Sequence, residues 1–306
     1  LEVKHTTARL ERALCSLEGL SVGDAFGEQF FARPGVAEMM VAERAMPRPQ
    51  WHFTDDTLMA LSVVSVLRQH GAVAQDALAR SFAARYDFSR GYGPAMHGML
   101  ENVRLGVSWS VAARWLFHGQ GSFGNGSAMR VAPLGAYFAD DLPAVVEQAR
   151  LSSDVTHAHP EAAAGAIAVA VAAALAWQSR GANAPPPPRA EFLSRILPFV
   201  PDSIVREKIR HARDLDPSAS VRLAVAALGN GTGVSAQDTA PFALWCAAGH
   251  LDNYEEALWL TVSGFGDRDT TCAIVGGIVA AYTGTEGIPA AWRADREPLP
   301  AWPFGE

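Results

Sequence analysis

The sequence predicts an all-α fold, a single domain of a dozen or more helices, and three observations carry that reading. Almost no window alternates apolar and polar residues with β-branched side chains, as a half-buried strand does. Apolar residues instead recur at helical spacing in segment after segment. The 306 residues are 49% hydrophobic and 19% charged, enough for one sizeable core and ordinary for a globular chain. No repeat of fixed period is visible.

Leu10, Ala13, Leu14 and Leu17 set a first helix over residues 7–20. Gly19, Gly23 and Gly27 follow at four-residue steps, a strip along one helix face where another backbone or a ligand can come close. Asp24 and Glu28 stand beside that strip. Residues 32–49, broken by Pro34-Gly35, Pro47 and Pro49, read as irregular. Phe53-Thr54-Asp55-Asp56-Thr57 then opens an apolar helix over 58–67. Helices over 74–85 and 95–105 come next, the second entered through Arg90-Gly91-Tyr92-Gly93-Pro94, and another spans 108–117.

Residues 119–130 are the glycine-rich loop of the chain, holding Gly121, Ser122, Phe123, Gly124, Asn125, Gly126, Ser127, Met129 and Arg130. Bare backbone N–H groups in such a loop can cradle phosphate or ribose oxygens. No Walker lysine is present and no strand precedes it, so it is not a P-loop; a plain connection is the alternative. A helix over 143–151 ends at a polar stretch with Thr156, His157 and His159. The two histidines lack a third soft ligand nearby, which favours contact with a polar ligand, or a structural role, over metal binding. The alanine-rich run 162–177 is short of the ~20 residues of a membrane span and reads as a helix buried on all sides.

Residues 181–189, with prolines at 185–188, read as an exposed polyproline loop. Helices over 191–197, 203–213 and 218–228 follow. A second glycine loop, 229–233, precedes helices over 239–249 and 254–263. Gly264-Phe265-Gly266-Asp267-Arg268-Asp269-Thr270-Thr271 opens the last long apolar helix, and the proline- and tryptophan-rich tail after Gly284 is expected on the surface.

Composition narrows the function. A net charge of −7 argues against a general nucleic-acid binder, which needs basic surface. Cys15, Cys246 and Cys272 are far apart with no CxxC, which excludes a zinc ribbon or disulfide framework and points to buried thiols in a reducing cytoplasm. No signal segment is evident, membrane insertion is not expected, and the tail offers no strong interface, so a monomer is expected.

The chemistry concentrates at two helix starts. Thr54, Asp55 and Asp56 open one, and Asp267, Asp269 and Thr270 the other. Taken alone, each is an N-cap: hydroxyls and carboxylates satisfy free N–H groups and suit the helix dipole. Neighbouring carboxylates share no helix face and converge only at a helix start or in a loop, which is where both pairs sit. Together they form a hard oxygen set suited to Mg²⁺ or Mn²⁺.

The order of these motifs resembles the ADP-ribosylglycohydrolase family, which includes the dinitrogenase reductase-activating glycohydrolase and the eukaryotic ADP-ribosylhydrolases. Gly23-Asp24-Ala25-Phe26-Gly27 resembles the family's GDAxG, Thr54-Asp55-Asp56-Thr57 its TDDT, and Gly124 to Arg130 its GNGxxMR. Thr156-His157 resembles its TH before a long helix, and Gly266 to Thr270 its GDTDT. The resemblance covers residues 11–284. It implies a compact orthogonal helix bundle holding two divalent cations, Mg²⁺ or Mn²⁺, on Thr54, Asp55, Asp56, Asp267, Asp269 and Thr270. It also implies an ADP-ribose cleft contacted by Tyr92, Gly93, the 121–130 loop and His157.

Two positions depart from the pattern. Many relatives carry a glutamate four residues after the last glycine of GDAxG; here it is Phe31, and the nearest carboxylate is Glu28. The small polar residue between the last two aspartates is Arg268, able to clamp a phosphate or take a cation's place. The resemblance implies hydrolysis of the glycosidic bond at C1 of the ADP-ribose ribose, with Glu28, Asp55 and Asp56 as candidate acids or bases. The rivals are a phosphoesterase on the same fold and a catalytically silent ADP-ribose binder.

Overall fold

In the computed structural model, residues 2–33, 35–181 and 185–304 are described, with side chains from residue 7 onward. Sixteen α-helices carry them, and β pairing among them is limited to two isolated bridges, Trp51 with Arg296 and Gly124 with Ser235. The first quarter holds α1 (Glu2–Glu28), α2 (Val36–Glu43), α3 (Asp55–His70) and α4 (Gln75–Arg85). Next come α5 (Pro94–Arg104), α6 (Trp109–Gly119), α7 (Ala132–Tyr137) and α8 (Leu142–Asp154). Then follow α9 (Pro160–Ser179), α10 (Arg189–Ile196), α11 (Ile204–Asp214) and α12 (Val221–Leu228). The chain closes with α13 (Ala236–Gly249), α14 (Tyr254–Val262), α15 (Arg268–Thr283) and α16 (Ala290–Asp295). This is the expected all-α orthogonal bundle.

The glycine strip of α1 sets the bundle's central contact. A Cβ on Gly19 would stand 2.3 Å from the Gly276 carbonyl oxygen, one on Gly23 2.2 Å from that of Cys272, and one on Gly27 2.2 Å from that of Arg268. The steps of four match in opposite senses, so α1 and α15 run antiparallel with their backbones touching. That contact carries Asp24 and Glu28, at the end of α1, to the start of α15. Gly23→Ala is expected to destabilise the protein by about 3 kcal/mol, the scale of overpacking against an immovable backbone. Denaturant unfolding measures it; a loss well under ~1 kcal/mol would mean that the two helices can part freely.

The alanine-rich α9 is the second axis. Ala162 and the whole stretch 164–176 are buried. This helix is long and apolar enough to cross a membrane, yet 78% of its apolar window is enclosed by the rest of the fold. Burial on all sides accounts for its lack of a polar face. All three cysteines are free and buried.

Two expectations differ from the structure. Residues 36–43, expected to be irregular, form α2: the Gly35 N–H donates to the Glu38 carboxylate and caps the helix. The tail after Gly284, expected on the surface, is partly core. Ile288 is 1% and Trp292 4% exposed, and Trp292 stacks on Phe26 with centroids 4.4 Å apart. Trp51 and Trp259 complete that aromatic cluster, and large rings gain more from burial there than a polar tail would. Of the expected polyproline loop, residues 182–184 lie outside the described residues.

Candidate active site

Thr54 is the N-cap of α3, and its hydroxyl accepts the Asp56 N–H at 3.3 Å. The same hydroxyl donates to Asp24 Oδ1 at 2.9 Å. Asp24 Oδ2 accepts from the Thr54 N–H (3.0 Å), the Thr57 N–H (3.1 Å) and the Thr57 hydroxyl (2.6 Å). Asp24 is therefore a buried latch that ties α1 to the start of α3, with every bond accounted for. Asp55 and Asp56, the next two residues, are left to point elsewhere.

Asp267 is the N-cap of α15 and is held from two sides. Asn125, from the first glycine loop, donates through Nδ2 to Asp267 Oδ2 at 2.6 Å and to the Thr239 hydroxyl at 3.0 Å. The Asp267 N–H donates to the Asn230 carbonyl at 3.0 Å. Gly231, at φ +89°, lies so close that a Cβ would meet the Asp267 Cβ at 2.4 Å. The second glycine loop is thus the buttress of Asp267, a role its sequence did not disclose.

Both helix starts face one recess of about 660 Å³. Asp55, Asp56, Asp267, Asp269 and Thr270 line its floor, with Tyr92 and Gly93 on one wall. Ser122, Phe123, Gly124, Asn125, Gly126, Met129 and His157 form the other. Met59, Met96 and Phe117 also line it; nothing distinguished these apolar residues from core in the sequence. Five expected residues are not in the lining. Thr54 is used by Asp24 and Asp56, Ser127 donates to the Ala162 carbonyl, and a Cβ on Gly121 would meet the 158–159 backbone at 3.0 Å. Glu28 sits half-buried at the end of α1. Arg130, expected on the substrate, is fully buried behind the wall, where it donates to the Ser152 carbonyl at 2.8 Å and the Thr156 hydroxyl at 2.9 Å.

The floor crowds buried carboxyl groups together. Burial raises Asp55 to about 8, helped by the charges of Asp24 and Asp267 and opposed by Arg130. Asp56 and Asp269 are pushed well above the usual carboxylate range, by burial first and then by the surrounding aspartates. Asp24 is raised to about 6 by burial, against the pull of its threonine bonds. Glu28 is raised to about 7 by burial and by Asp24 and Asp267, with Arg268 opposing. Asp56 Oδ2 and Asp269 Oδ1 are enclosed without a hydrogen-bond partner. Orphan carboxylate oxygens among like charges are what a cation would satisfy. Among the described residues, however, no three His, Cys, Asp or Glu side chains already converge on a common coordination point. The donor set fits a hard divalent cation on the orphan oxygens and the crowded charge, not on a preformed cage.

His157 is buried, and burial together with the Arg130 charge lowers it to about 3, so the ring is neutral. Gly124 and Gly126 face it: a Cβ on Gly126 would stand 2.9 Å from Nε2 and one on Gly124 3.2 Å. The glycines keep that nitrogen open. At the mouth, α6 breaks at Leu116, and Phe117 and His118 take φ +52° and +59°. That left-handed turn costs a non-glycine residue roughly 1–2 kcal/mol and sets the Phe117 ring nearly parallel to Phe123, 6.2 Å away.

The two departures from the family pattern cover each other. The Arg268 guanidinium lies over the Phe31 ring at 4.5 Å and near Phe265 at 5.7 Å. Arg268 is thus turned toward an aromatic surface and is absent from the recess lining. A further clamp comes from the tail: Glu297 accepts the Phe53 N–H at 3.0 Å and bonds His52 Nδ1 at 3.1 Å, and it pairs with Arg90. Arg90 donates to the Phe53 carbonyl at 2.8 Å. Glu297 therefore fastens both the entry to α3 and the loop that carries Tyr92, a tie between residues over 200 positions apart that no local motif announces.

Comparison with known proteins agrees with this architecture. The family described as ADP-ribosylglycohydrolase matches residues 5–302. The ADP-ribosylhydrolase ARH3 of Xenopus tropicalis is 29% identical over 330 residues, covering 95% of this chain and 92% of its own. ARH3 of Homo sapiens is 29% identical over 80% of this chain and 75% of its own length. The ADP-ribosylarginine hydrolase Tri1 of Pseudomonas putida is 27% identical over 92% of this chain and 73% of its own. A solved structure titled ADP-ribosylglycohydrolase-related protein complex superposes with a TM-score of 0.60 at 26% identity, covering 94% of this chain and 92% of its own.

Proposed function

Because the chain belongs to the ADP-ribosylglycohydrolase family, we propose that it is a divalent-cation-dependent hydrolase of the glycosidic bond between ADP-ribose and an acceptor. The observation that carries the reading is the meeting of two helix-start carboxylate pairs on the floor of one recess walled by a glycine loop. Asp55, Asp56, Asp267, Asp269 and Thr270 would hold two cations, Mg²⁺ or Mn²⁺, while Thr54, engaged with Asp24 and Asp56, shapes the site from behind. When bound, such ions supply Lewis acidity and a water of lowered pKa.

The chain's own residues do the rest. His157 and the 122–126 wall present donors and bare backbone to phosphate and ribose oxygens, and Phe117 and Phe123 offer flat faces for a base. Leaving-group departure at the ribose C1 develops oxocarbenium character, which a nearby carboxylate stabilises and a carboxylic acid assists by protonating the departing atom. Asp55 and Asp56 line the recess and stand ahead of Glu28 for these proton transfers. Glu28 acts on the site through its charge. The free, buried cysteines suit a cytoplasmic setting.

Phe31, in the position of an expected glutamate, favours a second reading: an ADP-ribose binder without turnover. Chromatography of an ADP-ribosylated protein and of a small ADP-ribosyl conjugate, incubated with Mg²⁺ or Mn²⁺, tests both. Free ADP-ribose that appears with cation and disappears with chelator supports hydrolysis. Release of AMP or phosphate would reassign the chain to phosphoesterase chemistry, and tight binding with no product would leave the silent binder.

A further inference from the structure

We propose that Thr156, backed by Arg130, is a positioning residue that fixes His157 as the tautomer protonated on Nε2 and aims that N–H into the recess. The argument rests on counting donors. Arginine has no acceptor, so the 2.9 Å contact between Arg130 Nη2 and Thr156 Oγ1 is a bond that threonine accepts. The threonine hydroxyl keeps one proton, and its other partner is His157 Nδ1 at 2.7 Å. A hydroxyl can accept twice, but among the described residues no other acceptor for its proton is found, so that proton goes to Nδ1, which is then the bare nitrogen of the ring. The imidazole proton is left on Nε2, which bonds to no other group among the described residues.

Three further features agree. The Ser153 hydroxyl donates to the His157 carbonyl at 3.0 Å and holds the backbone that carries the ring. Arg130 is held in turn by the Ser152 carbonyl and by the face of Phe82 at 4.5 Å. Among the described residues no carboxylate pairs with this guanidinium, so no ion pair there competes with its bond to Thr156. Gly124 and Gly126 leave Nε2 uncovered. The GNGxxMR and TH stretches thus work as one unit: the arginine sets the threonine, the threonine sets the histidine, and the glycines expose it. A fixed Nε2–H donor suits an anionic or hydroxylic oxygen, here the diphosphate or a ribose hydroxyl of ADP-ribose, and this last step rests on the function proposed above.

The test is ¹⁵N NMR of histidine-labelled protein near neutral pH, with the His157 signals assigned through His157→Gln. Wild type and Thr156→Ser are expected to show a bare Nδ1 and a protonated Nε2, whereas Thr156→Val populates both tautomers. The dissociation constant for ADP-ribose should rise roughly 10-fold in Thr156→Val and be restored in Thr156→Ser, the scale of one hydrogen bond to a charged group. A wild-type ring protonated on Nδ1 overturns the proposal and needs no variant to fold. So does a Thr156→Val protein with wild-type tautomer and affinity. If wild type binds no ADP-ribose, the ligand reading falls, and the tautomer measurement still decides the proposal.

Discussion

Asp269→Ala is expected to reduce ADP-ribose release by roughly 10³-fold, the scale on which preorganised charge stabilisation is lost, while leaving the metal-free protein as stable as wild type or more so. Asp55→Ala should behave alike. The first half follows from position: both side chains lie on the floor of the recess, and each belongs to a different helix start, so neither pair is complete without them. The second half follows from electrostatics. Asp269 is raised well above its ordinary value by burial and by Asp267 and Asp24, and its Oδ1 has no partner. A carboxylate in that state is kept at the expense of the fold, and removing it relieves like-charge crowding. Turnover assays and thermal melts of the chelated proteins measure the two halves separately. Near-normal turnover in both variants would refute the site. A collapse of the metal-free melting temperature would show that these aspartates hold the bundle together and are not poised for a ligand.

The metal-free protein is expected to lose stability as pH rises from about 6 to 8, and Mg²⁺ or Mn²⁺ is expected to restore it most at the alkaline end. Asp24 at about 6, Glu28 at about 7 and Asp55 at about 8 all lie above the ordinary unfolded values near 4. For groups raised on folding, the protonated form is the one the fold prefers. Their contribution is complete below the unfolded value and is lost as pH climbs from there to each folded value, so Asp24 has lost its share by about pH 6, and Glu28 and Asp55 carry the fall between 6 and 8. A bound cation replaces the protons as the compensating charge, so the gain in melting temperature on adding it should be larger at pH 8 than at pH 6. Melts at both values, with chelator and with saturating cation, decide the matter. A metal-free melting temperature that is flat across this range, or a cation shift of equal size at both ends, would contradict the account.

Much of the candidate site was legible in the sequence because its parts carry local signatures. Thr54-Asp55-Asp56 and Asp267-Arg268-Asp269 announce helix starts by residue type alone, and glycines every four residues announce a close helix contact. The residues misjudged were those whose role depends on what lies opposite. Arg130 reads as a phosphate ligand by its motif, yet its side chain passes behind the wall to Thr156. Arg268 and Phe31 look like two separate losses, but the guanidinium covers the ring. Glu297 had no motif and clamps two loops. The tail looked solvated for its prolines, while Trp292 stacks in the core.

The sequence by itself determined the all-α class, the family and the carboxylate pairs, because helical period, capping and turn chemistry are written within a few residues of each other. Only the tertiary structure decided which of the motif residues face the recess, which stand behind it, and how α1 delivers Asp24 to α3 while packing on α15. Those outcomes depend on contacts between side chains up to hundreds of positions apart, and packing at interior density selects them with no trace in the local pattern.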